Sequence, residues 1–139
     1  CNDLGKWGAG FSGAVSKRWH LPEQKYRTTM QYNLGDIQLI KVDSDTVVAN
    51  MITQHGVRGE KYGTRPLRYT ALAACLAKLA SRAVYTGASV HMPRIGCGLA
   101  GFTDAQIAPM FIGSPKNCHF DEKWRKYLGD GYNYWGTYE

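Results

Sequence analysis

The chain has 139 residues, enough for one domain with a proper core, and 44% of them are hydrophobic and 20% charged. No apolar run approaches bilayer length, so no membrane segment is expected; no signal peptide is visible, but the chain begins at Cys1 without a methionine, so its natural start has been processed, trimmed or left out. The 17 Lys and Arg against 11 Asp and Glu leave a formal charge of +6, which favours an anionic partner, nucleotide or nucleic acid, without choosing between them. The basic residues fall in small groups (Lys17-Arg18, Arg58 to Arg68, Lys123-Arg125-Lys126) more typical of solvated surface than of one nucleic-acid footprint. Cys1, Cys75, Cys97 and Cys118 lack C-x-x-C spacing, so zinc is not expected and a reducing, cytoplasmic setting is.

In chain order, Cys1-Asn2-Asp3 has the look of a strand end, and Gly5 to Gly10 follows as a loop. Phe11, Ala14, Val15 and Trp19 recur at helical spacing with Lys17 and Arg18 opposite, which predicts a first helix closed by Pro22 and the polar segment to Gly35. Ile37 and Leu39 alternate with polar residues toward a turn at Asp43-Ser44-Asp45, and Thr46 to Ile52 is the expected returning strand of a hairpin or adjacent pair. Gln54 to Gly63 is a long polar, glycine-rich loop and a candidate for function. Thr64-Arg65-Pro66 is expected to open a helix whose apolar stripe is Leu72, Cys75, Leu76, Leu79 and Ala83, with Gly87 past its end. A short strand from Ala88 to Pro93 then delivers Met92-Pro93-Arg94-Ile95-Gly96-Cys97-Gly98-Leu99-Ala100-Gly101-Phe102, and Asp104 to Met110 is the expected helix behind it. Phe111 to His119 has loop composition, Asp121 to Leu128 suits a short helix, and Tyr132 to Tyr138 suits a terminal strand or ordered tail. Alternating strands and helices imply an α/β sheet covered on both faces.

Two segments fit G-x-G-x-x-G: Gly8, Gly10, Gly13 and Gly96, Gly98, Gly101. Each match alone is weak, since glycines also serve tight turns and close helix packing. A dinucleotide fold requires an acidic residue that closes the following strand; Asp36 lies about that far past the first loop but begins a strand instead of ending one, and the second loop lies too near the chain end. Both stand where a strand ends and a helix begins, however, so backbone N–H groups and a helix N-terminus face the same place. Two phosphate-sized loops in one small domain point to a diphosphate ligand.

Cys1-Asn2-Asp3-Leu4-Gly5-Lys6-Trp7-Gly8-Ala9-Gly10-Phe11, Ala49-Asn50-Met51-Ile52-Thr53-Gln54 and Met92 to Gly101 resemble the three signature segments of a macrodomain. The likeness is to the branch that includes the terminal ADP-ribose glycohydrolase, a chromatin-remodeller macrodomain and bacterial and phage relatives, and it covers residues 1–110; residues 111–139 form an atypical tail. The resemblance implies a single domain over residues 1–139, with a three-layer α/β/α mixed sheet lacking the family's usual N-terminal strands. It implies ADP-ribose or an ADP-ribosylated molecule as partner. Asn2 would lie near the distal ribose, Gly8, Ala9, Gly10 and Phe11 along the distal ribose and diphosphate, and Gly96, Cys97, Gly98, Leu99, Ala100, Gly101 and Phe102 around the diphosphate from the other side.

The sequence departs from that family in two respects. The upstream aspartate that holds adenine has no counterpart here: either the chain has lost its beginning, or adenine is held otherwise, with Tyr132, Tyr134, Trp135 and Tyr138 as candidates for stacking. The nucleophilic lysine and assisting aspartate of the glycohydrolase align with Gln54 and Ala100, which cannot perform that chemistry. Asp3 and His55 remain as catalytic candidates, ahead of His20, Cys97 and Asp104. Three functions stay open: an ADP-ribose binder without chemistry, a hydrolase of an ADP-ribose derivative (a terminal phosphate or an ADP-ribosyl ester), and a nucleic-acid or structural interaction protein. No cofactor or metal is called for, and the oligomeric state is left open.

Overall fold

The computed structural model describes residues 1–8, 10–59, 61, 63, 66–92 and 118–119. Its elements are α1 (Gly10–Arg18), α2 (Leu21–Arg27), β1 (Ile37–Lys41), β2 (Val47–Met51), α3 (Tyr69–Thr86), β3 (Val90–His91) and β4 (Cys118–His119). β1 and β2 pair antiparallel, and β3 and β4 pair parallel, so the expected mixed α/β arrangement is present.

α1 forms where the apolar spacing predicts it, burying Ala14 and Val15 and ending on Lys17 and Arg18, whose charges suit the negative end of the helix dipole. Pro22 does not simply terminate it. A second helix, α2, starts at Leu21 with Pro22 in its first turn, where the missing N–H is no loss and the fixed φ favours helix. α2 buries Pro22 and Tyr26 completely and lies against both strands of the hairpin.

The hairpin follows the expected course. Asp45 N–H bonds to Asp43 Oδ1 (2.9 Å) and Val42 N–H to the Thr46 carbonyl (3.1 Å), an Asx-type turn at the predicted residues. The side chains on its covered face are not the ones the alternation suggests. Leu39 is 40% exposed, whereas Ile40 is buried. Gln38, Ile40 and Asn50 share a face by register and the two-residue period, and Gln38 Nε2 and Asn50 Nδ2 bond to Thr29 Oγ1 and the Pro22 carbonyl. α2 and the segment after it cover this face, and the two strand residues that are buried, Ile40 and Asn50, both lie on it.

Beyond β2 the chain enters a ladder of three segments. Residues 1–3 run parallel to residues 52–54, with Thr53 N–H donating to the Cys1 carbonyl (3.0 Å) and Asp3 N–H to the Gln54 carbonyl (3.0 Å). Residues 66–68 run antiparallel on the other side, through His55 N–H to the Pro66 carbonyl and Arg68 N–H to the Thr53 carbonyl, both 2.9 Å. Pro66 therefore belongs to an extended segment, and α3 begins at Tyr69 rather than at Thr64-Arg65-Pro66, with Arg68 at the N-cap position in an extended conformation. Thr64 and Arg65 lie outside the described residues.

α3 buries Ala71, Leu72, Cys75 and Ala83, with Leu76 and Leu79 half-buried, and Gly87 closes it in the left-handed conformation (φ 69°). Burial raises the Cys75 thiol above its ordinary pKa, and its sulfur faces the Asp36 and Ile52 carbonyls at 3.4 and 3.7 Å. Leu72, Cys75, Ile52, Tyr26, Pro22 and Pro66 are the largest fully enclosed side chains among the described residues. β3 begins within the predicted 88–93 strand. β4 lies at the end of the 111–119 stretch expected to be a loop, because pairing with β3 supplies what local sequence does not. The second glycine loop, the helix expected over 104–110 and the elements expected after residue 119 lie outside the described residues.

Candidate functional site

Residues 1–3 and 52–54 run in the same direction, so both leave the ladder at the same end. One continues into the first glycine loop, the other into His55 and Gly56. In α/β proteins that carboxyl end is where ligands bind.

Asn2 shapes the first loop from beneath. Its Oδ1 accepts from Leu4 N–H (3.0 Å), Lys6 N–H (3.1 Å) and the Tyr26 hydroxyl (2.8 Å), while Nδ2 donates to the Lys6 carbonyl (2.7 Å). The resemblance puts Asn2 near a distal ribose. It is buried, and its amide is bonded to the backbone of Leu4 and Lys6, which it holds in place. The Tyr26 hydroxyl also donates to the Asn2 carbonyl (2.5 Å), and burial pushes its pKa to about 12, so it stays a neutral donor. Trp7 and Tyr32 pack against the Tyr26 ring with centroids 5.5 and 5.0 Å away, and the Trp7 indole donates to Ser16 Oγ in α1. Sequence reasoning passes over Tyr26 because it sees no helix there.

The three glycines of the first loop have different reasons to be glycine. Gly10 starts α1 at φ 72°, a region that L side chains avoid. At Gly13 a Cβ would stand 3.1 Å from the Gly8 carbonyl oxygen, so this glycine lets the loop lie close on the helix. Gly8 has neither constraint among the described residues: its φ is not positive, and none of them lies within 4 Å of the place a Cβ would occupy. Phe11 is half-buried in the first turn of α1. Ala9 and residues 96–102, the rest of the predicted diphosphate clamp, lie outside the described residues, as do Cys97 and Asp104 as catalytic candidates.

Two of the three remaining catalytic candidates meet. His55 Nδ1 and Asp3 Oδ2 are 2.8 Å apart, and Asp3 Oδ1 accepts Gly56 N–H at 2.7 Å. Desolvation pushes the Asp3 carboxyl up, but the Gly56 amide and then His55 outweigh it, leaving its pKa below the usual carboxylate value. The Asp3 side chain is 16% exposed and that of His55 51%. Gly56, buried with φ 70°, is a member of this group that sequence reasoning misses, and its place next to His55 is the only signal for it. His20 does not join them; it is exposed at the N-cap of α2. Gln54 holds the centre of the ladder, bridged to Asn2 and Leu67. Among the described residues no group of three or more His, Cys, Asp or Glu is placed to hold a metal ion, and no helix is long and apolar enough to cross a membrane.

No protein-family model matches the chain, and a comparison with curated proteins finds no match. Solved structures do match. A macrodomain protein from Streptomyces coelicolor is 42% identical, with a TM-score of 0.67 over 82% of this chain and 75% of that one. The chain belongs to the macrodomain family. A protein of unknown function from Bacteroides thetaiotaomicron superposes on this macrodomain with a TM-score of 0.76, at 42% identity over 82% of this chain and 75% of that one. The macrodomain of Mycobacterium tuberculosis DarG, 17% identical, shares the fold with a TM-score of 0.69 over 82% of this chain and 76% of its own. The ladder of residues 1–3, 52–54 and 66–68 and the helices α1 to α3 are thus parts of a macrodomain's α/β architecture, as the three signature segments imply.

Proposed function

We propose that this macrodomain binds ADP-ribose or an ADP-ribosyl group, with the diphosphate between the first glycine loop and residues 96–102. Gly8 is the observation that carries this reading. Its neighbours in the described fold leave room for a side chain and its backbone is not strained, so no contact or strain among the described residues calls for a glycine there, whereas a ligand backed against the loop does. Asn2 adds support by holding residues 4–6 through their backbone groups, so that less ordering has to accompany binding. The N-terminus of α1 follows directly and favours an anion.

Calorimetric titration of the protein with ADP-ribose tests the reading, using Gly8→Val as the probe of the loop. Saturable binding by the native protein, lost in a variant of unchanged melting temperature, supports it. The competing nucleic-acid reading rests on the charge of +6 and predicts an affinity for single- or double-stranded nucleic acid that falls steeply with salt. A second reading, hydrolysis of an ADP-ribose derivative, is favoured by the Asp3 and His55 pair.

A further inference from the structure

We infer that Glu23 and Arg27, both on α2, are positioning residues for the ligand: with Ser16 they close a circuit of hydrogen bonds on Trp7 that orients the Trp7–Gly8 peptide. The inference rests on the ADP-ribose reading above and concerns how the first glycine loop is held for that ligand.

The circuit has four contacts. The Trp7 indole N–H donates to Ser16 Oγ on α1, and the Ser16 hydroxyl donates to Glu23 Oε1 (2.8 Å). Glu23 Oε2 accepts Arg27 Nε–H (2.8 Å), and Arg27 Nη2 donates to the Trp7 carbonyl (3.4 Å). Chemistry fixes every direction, because an indole and a guanidinium only donate and an ionised carboxylate only accepts. Arg27 and then Ser16 hold the Glu23 carboxyl below its usual pKa, so near neutrality it is ionised. It therefore takes the Ser16 proton, which leaves a Ser16 lone pair for the indole. Without Glu23 that proton turns to the Ser12 carbonyl of its own helix, at 3.3 Å, and Arg27 loses the carboxylate that keeps it beside Trp7.

What the circuit controls is a peptide plane. The Trp7–Gly8 peptide is trans, so a Trp7 carbonyl held toward Arg27 turns the Gly8 N–H the opposite way, away from α2. The Gly8 carbonyl is drawn to α1, where Ser12 Oγ donates to it at 3.4 Å and a Cβ on Gly13 would stand 3.1 Å away. A loop that takes a diphosphate needs its carbonyl oxygens turned into the protein and its N–H groups turned outward. Glycine at position 8 leaves this peptide free to turn over, and the circuit opposes that. The Arg27 and Glu23 side chains are 50% and 30% exposed, so their ion pair adds little to overall stability. Its effect is local to the loop.

The test is calorimetric titration of the full chain with ADP-ribose, together with the indole N–H resonance of Trp7 in NMR spectra, assigned with Trp7→Phe. Arg27→Met keeps the apolar stem and removes the guanidinium. Its affinity should fall about tenfold or more while the melting temperature moves by less than about 4 °C. Glu23→Ala should also lower affinity, and should displace the Trp7 resonance although Glu23 makes no bond to the indole. Members of one circuit are not additive, so the double variant should bind within about threefold of Arg27→Met. Arg27→Lys, whose single ammonium cannot span both partners, should recover only part of the loss. Circular dichroism verifies folding; should either variant not fold, Arg27→Lys and Glu23→Gln are read in its place, and native affinity in both overturns the inference. Undiminished affinity in folded Arg27→Met overturns it and leaves the ADP-ribose reading standing. Affinity lost in Arg27→Met but kept or raised in Glu23→Ala overturns it too, since Arg27 would then touch the ligand itself. An unmoved Trp7 resonance in Glu23→Ala does the same, whereas no binding by the native protein overturns both readings.

Discussion

Tyr26→Phe removes one oxygen atom from the centre of the structure, and its cost follows from the contacts of that atom. The hydroxyl donates to the Asn2 carbonyl and shares itself with Asn2 Oδ1, at 2.5 and 2.8 Å, in a place where Tyr26 is fully buried. Phenylalanine keeps the ring and its packing on Trp7 and Tyr32, so no cavity of consequence opens. Asn2 Oδ1 retains two backbone donors, Leu4 and Lys6 N–H, so the loss is concentrated at the Asn2 carbonyl. Depriving a buried acceptor of its donor costs about 1–3 kcal/mol, and the lower half of that range applies because Oδ1 stays satisfied. For a domain of this size the melting temperature should fall by about 3–6 °C. Differential scanning calorimetry measures the shift, and titration with ADP-ribose measures whether the loosened Asn2 weakens the loop it holds, which should lower affinity. An unchanged melting temperature together with unchanged affinity would refute the claim that Tyr26 and Asn2 fix the floor of the site.

Leu72→Ala should be the more damaging substitution, since Leu72 is fully buried on α3; a loss of about 2–5 kcal/mol is expected in urea titration. Asp3→Asn reports on the lowered Asp3 pKa. A carboxyl with a folded pKa below its unfolded value contributes stability that is present above about pH 3.9 and lost as pH falls through the folded pKa. The native protein should therefore be more stable than Asp3→Asn at about pH 6, with the gap closing as the medium is acidified below about pH 4. A gap that widens on acidification would contradict the Asp3 assignment.

The elements most legible in the sequence are those that carry their own local signal. α3 has a long apolar stripe with Gly87 past its end, and the hairpin has Asp43-Ser44-Asp45 between two alternating runs. α2 has no such signal: of its seven residues only Pro22 and Tyr26 are buried, and Pro22 marks the start of one helix as readily as the end of another. Missing α2 also misassigns the covered face of β1, because α2 and the segment after it are what cover Ile40. Pro66 fits a helix start locally, yet the main-chain partners His55 and Thr53 draw residues 66–68 into an extended ladder. At the site, Asp3 and His55 each stand out as residue types suited to chemistry. Their meeting is not legible, since it depends on a parallel pairing between segments about fifty residues apart. The motif Gly8, Gly10, Gly13 is visible as a pattern, but only the structure separates the two glycines whose backbone or packing requires glycine from the one that no described residue constrains.

The most direct test of the account is isothermal titration of the native chain and of Gly8→Val with ADP-ribose, at low and at high salt. The account predicts saturable binding by the native protein that depends little on salt, and its loss in Gly8→Val without a change in melting temperature. No binding by the native protein, or undiminished affinity in Gly8→Val, would contradict it.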